Sequence, residues 1–257
     1  PAVHHVVEEA LEAGIEHIVF VTGRNKGAIE DYFDISYELE DSLSKRKGKE
    51  DVLAAVQAAT LPAGSTSFTR QQSPLGLGHA VLCAKDIIGD EPFAVLLPDV
   101  LVNAERSCLA QMMDHYNKVG GNIIAVDEVP MERVHKYGVI APAEGADVAA
   151  SLIKMKAMVE KPPREEAPSN LKITGRYILQ PEIWEILETQ TPGAGNEIQL
   201  TDAMERLMGV QDFYAAKFDG ADYDCGDKLL YLQACAAYAL SSADADKARE
   251  ILEDLLK

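Results

Sequence analysis

The chain has 257 residues, 47% of them hydrophobic, enough to bury a full core as one large α/β domain or a domain with a small appendage, which excludes a disordered or fibrous protein. Its 24 basic and 42 acidic residues leave a formal net charge of −18, which repels phosphate backbones and excludes a general nucleic-acid surface; an anionic ligand then needs a local, metal-assisted pocket. Cys83, Cys108, Cys225 and Cys235 show neither CxxC spacing nor a secreted disulfide rhythm, and no apolar run approaches the ~18 residues of a membrane span, so a soluble protein of the reducing cytoplasm is expected.

The chain opens at Pro1, without Met and already within a helical pattern, so the polypeptide is expected to begin further upstream. Val3, Val6, Val7, Ala10 and Leu11 recur at helical spacing up to Ala13-Gly14, and the apolar run that follows reads as a buried strand over 17–22. Helical patterns fill much of 26–58, 66–70 reads as a strand, and 79–85 as a helix after a glycine-rich loop. A strand at 93–97, a helix at 108–119 and a strand at 122–126 follow. The second half mixes longer strands at 151–159 and 172–179 with helices near 181–188 and 198–208, and helices at 227–240 and 243–256 close the chain. Helices alternating with short apolar strands imply a mainly parallel sheet covered on both faces, with ligands collecting at strand carboxyl ends.

Four local patterns are candidates for chemistry. In Gln71-Gln-Ser-Pro-Leu-Gly-Leu-Gly-His-Ala80, Gly76 and Gly78 precede a helix, where close backbone approach and free N–H groups suit a nucleotide base or phosphate. The segment has neither the third glycine of a dinucleotide fingerprint nor the ending of a P-loop, and a plain strand-to-helix turn explains it as well. Leu96-Leu-Pro-Asp99 puts a carboxylate at the end of an apolar strand, where a hard oxygen can hold Mg²⁺ or simply form a turn. Asp224, in Tyr223-Asp-Cys-Gly226, reads by itself more readily as a helix cap than as a ligand. Val159-Glu-Lys-Pro162 ends a strand with Glu160 and Lys161, whose side chains point to opposite faces if the strand is regular. The histidines form no zinc constellation, and His79 reads as a packing residue.

Taken in order, Gln71 with Gly76-Leu-Gly-His79, Leu96-Leu-Pro-Asp99, Tyr137-Gly138, Val159-Glu-Lys-Pro162, Gly175-Arg-Tyr177, Gly195-Asn-Glu-Ile-Gln-Leu-Thr-Asp202 and Asp224-Cys-Gly226 resemble the bacterial UTP:glucose-1-phosphate uridylyltransferases, over about residues 1–240. The resemblance implies an α/β nucleotide-diphospho-sugar transferase (Rossmann-like) fold, with a mainly parallel mixed central sheet flanked by helices. It implies a nucleotidyltransferase domain over 1–226 and a carboxyl-terminal helical segment over 227–257 that is open to subunit contact.

By the same resemblance, Gln71 reads the uracil edge, Gly76 and Gly78 carry base and ribose, and Asp99 and Asp224 hold Mg²⁺ against the phosphates. Gly138, Glu160 and Lys161 serve the sugar phosphate, Lys161 at its phosphate; Glu197 shapes the sugar pocket, and Asp202 either shares that task or braces its helix. The implied partners are UTP and glucose 1-phosphate, with no nucleic acid and no membrane, in a homodimer or homotetramer. The family's amino-terminal glycine-rich loop, with the Arg and Lys that grip the triphosphate, would precede Pro1. Thymidylyl transfer to the same sugar phosphate and a catalytically inactive nucleotide-sugar-binding module are the alternatives. A glycosyltransferase of related fold calls for an Asp-x-Asp motif, which Pro98-Asp99-Val100 does not supply.

Overall fold

The computed structural model describes residues 1–257, the side chain of Ala194 excepted. Helix α1 (Ala2–Glu12) leads into β1 (Ile18–Thr22), helices α2 (Gly27–Phe33), α3 (Tyr37–Ser44) and α4 (Glu50–Ala58), then β2 (Thr66–Arg70), α5 (Leu77–Leu82) and α6 (Lys85–Ile88). Next come β3 (Phe93–Leu96), β4 (Val100–Asn103), α7 (Cys108–Val119), β5 (Asn122–Glu128), β6 (Gly138–Pro142), β7 (Leu152–Glu160) and β8 (Leu171–Leu179). Helices α8 (Ile183–Thr189) and α9 (Leu200–Met208), strands β9 (Phe213–Lys217) and β10 (Ala221–Asp224), and helices α10 (Lys228–Leu240) and α11 (Ala245–Leu255) complete the chain.

These elements form two compact units. The first comprises Pro1–Gly14, Pro92–Gln180 and Glu205–Lys257, and the second Ile15–Glu91 with Pro181–Met204. In the first unit a six-stranded sheet runs β3-β8-β5-β9-β7-β6, and β6 also meets β8 at Val139↔Lys172. Its centre is β5, where Ile123, Ile124, Ala125 and Val126 are buried, a run that leaves no polar face for water and therefore needs cover on both sides. Helix α7 supplies part of that cover with Cys108, Leu109 and Met112. Ser107 caps its start by accepting the Ala110 N–H, and Gly120, at φ 64°, ends it in a conformation that glycine adopts without strain.

The α/β class and the mixed central sheet flanked by helices are as expected, but the sheet is not mainly parallel. Only β5–β9 is a parallel ladder in it, whereas β3–β8, β5–β8, β7–β9 and β6–β7 are antiparallel. For β6–β7 the reason is connectivity: the two strands follow one another with no α-helix between them, and without a crossover helix successive paired strands cannot be laid parallel. In the second unit β1 and β2 do pair in parallel, with the three helices α2, α3 and α4 between them in sequence.

Four strands had no counterpart in the sequence reading: β4, β6, β9 and β10. Strand β10 has the sequence Ala-Asp-Tyr-Asp and is recognisable only through its antiparallel partner β4. Helix α10 packs on this pair, and Val6, Leu101, Tyr223 and Ala234 form a shared core that draws the segment 227–240 into the first unit.

Candidate active site

Asp99 sits in a turn whose backbone is held on both sides. Leu97 N–H donates to Gly175 O at 3.0 Å, Val100 N–H donates back to Leu97 O, and Asp99 O accepts the Cys225 N–H at 2.7 Å. The buried guanidinium of Arg176 reaches the same turn, donating from Nη1 to Leu97 O at 2.9 Å and from Nη2 to Val100 O at 2.8 Å. Its remaining donors meet Glu9, from Nε to both carboxylate oxygens and from Nη2 to Oε2, and Glu9 Oε1 also accepts the Leu109 N–H. A buried charge of this kind persists only when paired and fully hydrogen-bonded, so the network is rigid. Its consequence is a fixed backbone at Asp99 with an exposed carboxylate.

Asp224 is the last residue of β10 and lies opposite Val100 in the ladder, one position from Asp99. The two residues, separated by over a hundred positions in sequence, are therefore brought close by the strand pairing, Asp224 on β10 and Asp99 immediately before β4. Asp224 Oδ1 accepts the Gly226 N–H at 2.9 Å. The helix cap is not Asp224 but Asp227, whose Oδ1 accepts the Leu229 and Leu230 N–H groups and whose carboxyl is held below the usual range chiefly by those two bonds.

This donor set fits Mg²⁺: the ion is bound through one or two carboxylates and fills its other positions with water and phosphate oxygens. Among the described residues, no group of three or more His, Cys, Asp or Glu side chains forms a self-sufficient cage.

Gly138 opens β6 and Glu160 closes β7, in direct register, and the Lys161 N–H donates to Tyr137 O at 3.1 Å. A Cβ on Gly138 would lie 3.0 Å from Glu160 Oε2, so the bare glycine leaves room for that carboxylate. Glu160 and Lys161 do not point to opposite faces as a regular strand requires. Lys161 adopts φ 46°, a left-handed conformation uncommon for a long side chain, and the bend returns its Nζ to 3.3 Å from Glu160 Oε1. Both side chains remain more than half exposed and are free to meet a ligand. Tyr177, buried on β8, has its hydroxyl pushed up first by burial and then by the charges of Glu160 and Asp99, so both carboxylates bear on one side chain.

Gln71, Gly76, Gly78 and Glu197 lie in the second unit. Here the glycine-rich loop is clipped to the segment before α9: Ile198 N–H donates to Leu75 O at 2.7 Å, and Gly78 N–H donates to Ile198 O at 2.8 Å. The Gly78 N–H, expected to be free for a ligand, is therefore occupied. Gly76 has φ 101°, and a Cβ there would meet Ile198 O at 2.7 Å and Glu197 Cβ at 2.8 Å; one on Gly78 would meet Ile198 O at 2.8 Å. Both glycines are thus required by backbone contact before any ligand is considered.

Glu197 belongs to this same clip, its O accepting the Gly193 N–H and its Oε2 accepting Gln199 Nε2 at 2.8 Å. Asp202, in the first turn of α9, stands so close to Gly193 that a Cβ there would lie 2.9 Å from its Oδ2. Gln71 donates from Nε2 to Gly76 O at 2.9 Å and to His79 Nδ1 at 3.0 Å, so His79 accepts rather than merely packs.

Arg176 and Glu9 are residues of this geometry to which sequence reasoning assigned no role, and His79 one that it assigned to packing. The available signal for Arg176 was a charge inside β8, a run otherwise dominated by residues that fold into the core.

The nucleotidyl transferase family profile matches residues 1–240. The UTP--glucose-1-phosphate uridylyltransferase of Bacillus subtilis (strain 168) is 47% identical over 259 residues, covering 100% of this chain and 86% of that protein. A UTP-bound UGPase from Acinetobacter baumannii has a similar structure, with a TM-score of 0.89 at 42% identity, over 100% of this chain and 88% of the other. A UDP-glucose pyrophosphorylase complexed with UDP-glucose gives a TM-score of 0.83 at 42% identity, over 94% of this chain and 88% of the other.

Proposed function

Since this chain belongs to the nucleotidyl transferase family, we propose that it transfers a uridylyl group from UTP to glucose 1-phosphate, giving UDP-glucose and pyrophosphate. A phosphate oxygen of glucose 1-phosphate forms the new bond to the α-phosphorus of UTP, and the bond from that phosphorus to the bridging oxygen breaks as pyrophosphate leaves. The nucleophile is already anionic, so no strong general base is needed and the protein's task is positioning and charge stabilisation.

In this reading Lys161 holds the sugar phosphate while Glu160 and the Gly138 backbone receive glucose hydroxyls. Gln71 reads the uracil edge, Gly76 and Gly78 carry base and ribose, and Glu197 shapes the sugar pocket from the clip it forms with the glycine loop. Asp99 and Asp224 would hold Mg²⁺, which neutralises charge that otherwise keeps two polyanions apart. The observation that supports the reading is the β4–β10 register, which brings Asp224 within one ladder position of Asp99, a residue distant in sequence.

The test is a coupled pyrophosphate-release assay on the full-length polypeptide, with UTP and dTTP compared as donors. Release that depends on both UTP and glucose 1-phosphate is expected. A clear preference for dTTP would overturn the uridylyl reading, and UDP-glucose binding without release would replace it with an inactive binding module.

Among the described residues, no helix is long and apolar enough to cross a membrane. Subunit contact is proposed at α10 and α11, where Leu229, Leu232, Leu255 and Leu256 are exposed, giving a homodimer or homotetramer. Light scattering in solution would read the number of subunits directly, and a monomer at micromolar concentration would sink that assignment.

A further inference from the structure

We propose that His79 is a positioning residue for base selection: by accepting a hydrogen bond from Gln71, it locks that amide in the orientation that admits uracil and rejects cytosine. The inference rests on the proposed role of Gln71 as the uracil reader.

A free glutamine is ambiguous, because rotating its amide by half a turn exchanges a donor for an acceptor. Gln71 is not free. One Nε2–H is directed to Gly76 O at 2.9 Å and the other to His79 Nδ1 at 3.0 Å. With both donors used, a flipped amide would set its oxygen against a carbonyl oxygen and an unprotonated ring nitrogen, both acceptors. The same pairing fixes the histidine, whose Nδ1 must carry the lone pair and whose proton then lies on Nε2. Cys83 Sγ also reaches Nδ1, at 3.9 Å, but a thiol is a weak donor and the amide at 3.0 Å is the nearer partner.

The lock leaves Oε1 as the remaining polar atom of Gln71. It accepts nothing among the described residues and is not a buried atom. An isolated acceptor suits the imide N3–H of uracil. It opposes the N3 of cytosine, which is itself an acceptor. Thymine carries the same imide as uracil, so the lock separates UTP from CTP and is indifferent between UTP and dTTP.

The experiment compares His79→Phe, which keeps an aromatic ring but offers no acceptor, with His79→Asn, whose side-chain oxygen can take the place of Nδ1. Ratios of kcat/KM for UTP, CTP and dTTP are measured on the full-length polypeptide, with Kd values for UTP and CTP from calorimetry. His79→Phe should lower the UTP-to-CTP ratio by about five- to tenfold, the scale of one neutral hydrogen bond. The change should lie in KM rather than kcat, with the UTP-to-dTTP ratio and the melting temperature nearly unchanged, and His79→Asn should retain most of the discrimination.

A third variant, Gln71→Leu, separates the two claims. If it collapses the UTP-to-CTP ratio while His79→Phe leaves it intact, the histidine has no such role. If Gln71→Leu itself leaves the ratio intact, the base is read elsewhere and the proposed role of Gln71 falls with it. Equal loss in His79→Phe and His79→Asn would also overturn the proposal, because the acceptor would then not be what matters.

Discussion

Asp99 owes its position to atoms other than its own side chain: the carbonyls on either side of the Pro98–Asp99 pair are held by Arg176, and its own carbonyl by Cys225. The carboxylate is thus exposed on a fixed backbone, and among the described residues no cation forms an ion pair with it. Asp99→Asn should leave the melting temperature unchanged and lower kcat by about 100-fold or more, since removing one ligand charge weakens stabilisation worth several kcal/mol. Wild-type turnover in that variant, measured across a Mg²⁺ titration, would refute the ligand role.

A second carboxylate shows the opposite situation. Asp127 is pushed above the usual aspartate range, first by burial and then by the neighbouring Asp222, against the lowering effect of its bond from the Glu128 N–H and of Lys172. A raised carboxyl favours its protonated form in the fold, so its contribution to stability is complete below the unfolded value and is lost as pH rises through the folded one. Asp127→Asn keeps the neutral form at every pH. Its melting temperature should exceed that of the wild type near neutrality and converge with it below about pH 4.

At the scale of elements, the clip between residues 75–78 and 197–198 unites two motifs that sequence presents as separate. Neither forms its contact alone, because each supplies one donor and one acceptor to the other. Gly76→Ala should disrupt it twice over, through a φ of 101° and through a Cβ placed 2.7 Å from Ile198 O. Strain of this kind costs about 1–3 kcal/mol. Chemical denaturation should register that loss, together with a higher KM for UTP, and an unaltered midpoint would mean that the loop relaxes freely.

Strands β4 and β10 show the same dependence on a distant partner. The Asp-rich β10 has low strand propensity, and its backbone groups are satisfied by the ladder to β4, with Asp224 O also accepting the Asp227 N–H at the turn that follows.

At the scale of the whole molecule, a net charge of −18 opposes the approach of every substrate proposed for it. Screening should relieve that opposition. At constant free Mg²⁺, the KM for UTP should fall as monovalent salt rises from about 20 to about 150 mM, where the Debye length shortens to about 8 Å. A steadily rising KM would show that local cations such as Lys161 outweigh the global field.

What the sequence determined by itself was local or cumulative. Hydrophobic period located α1, α7, β5 and the long strands β7 and β8 to within a residue or two, because a face that must be buried is written in neighbouring residues. The ordered motifs pointed to the family through their combination, none being specific alone. Only tertiary structure decided which strands run antiparallel, that Asp224 lies beside Asp99 instead of capping a helix, that Lys161 bends back to Glu160, and that Arg176 answers Glu9 from 167 positions away. These depend on pairing between distant segments, and the partner of a hydrogen bond or ladder leaves no periodic trace in either stretch of chain.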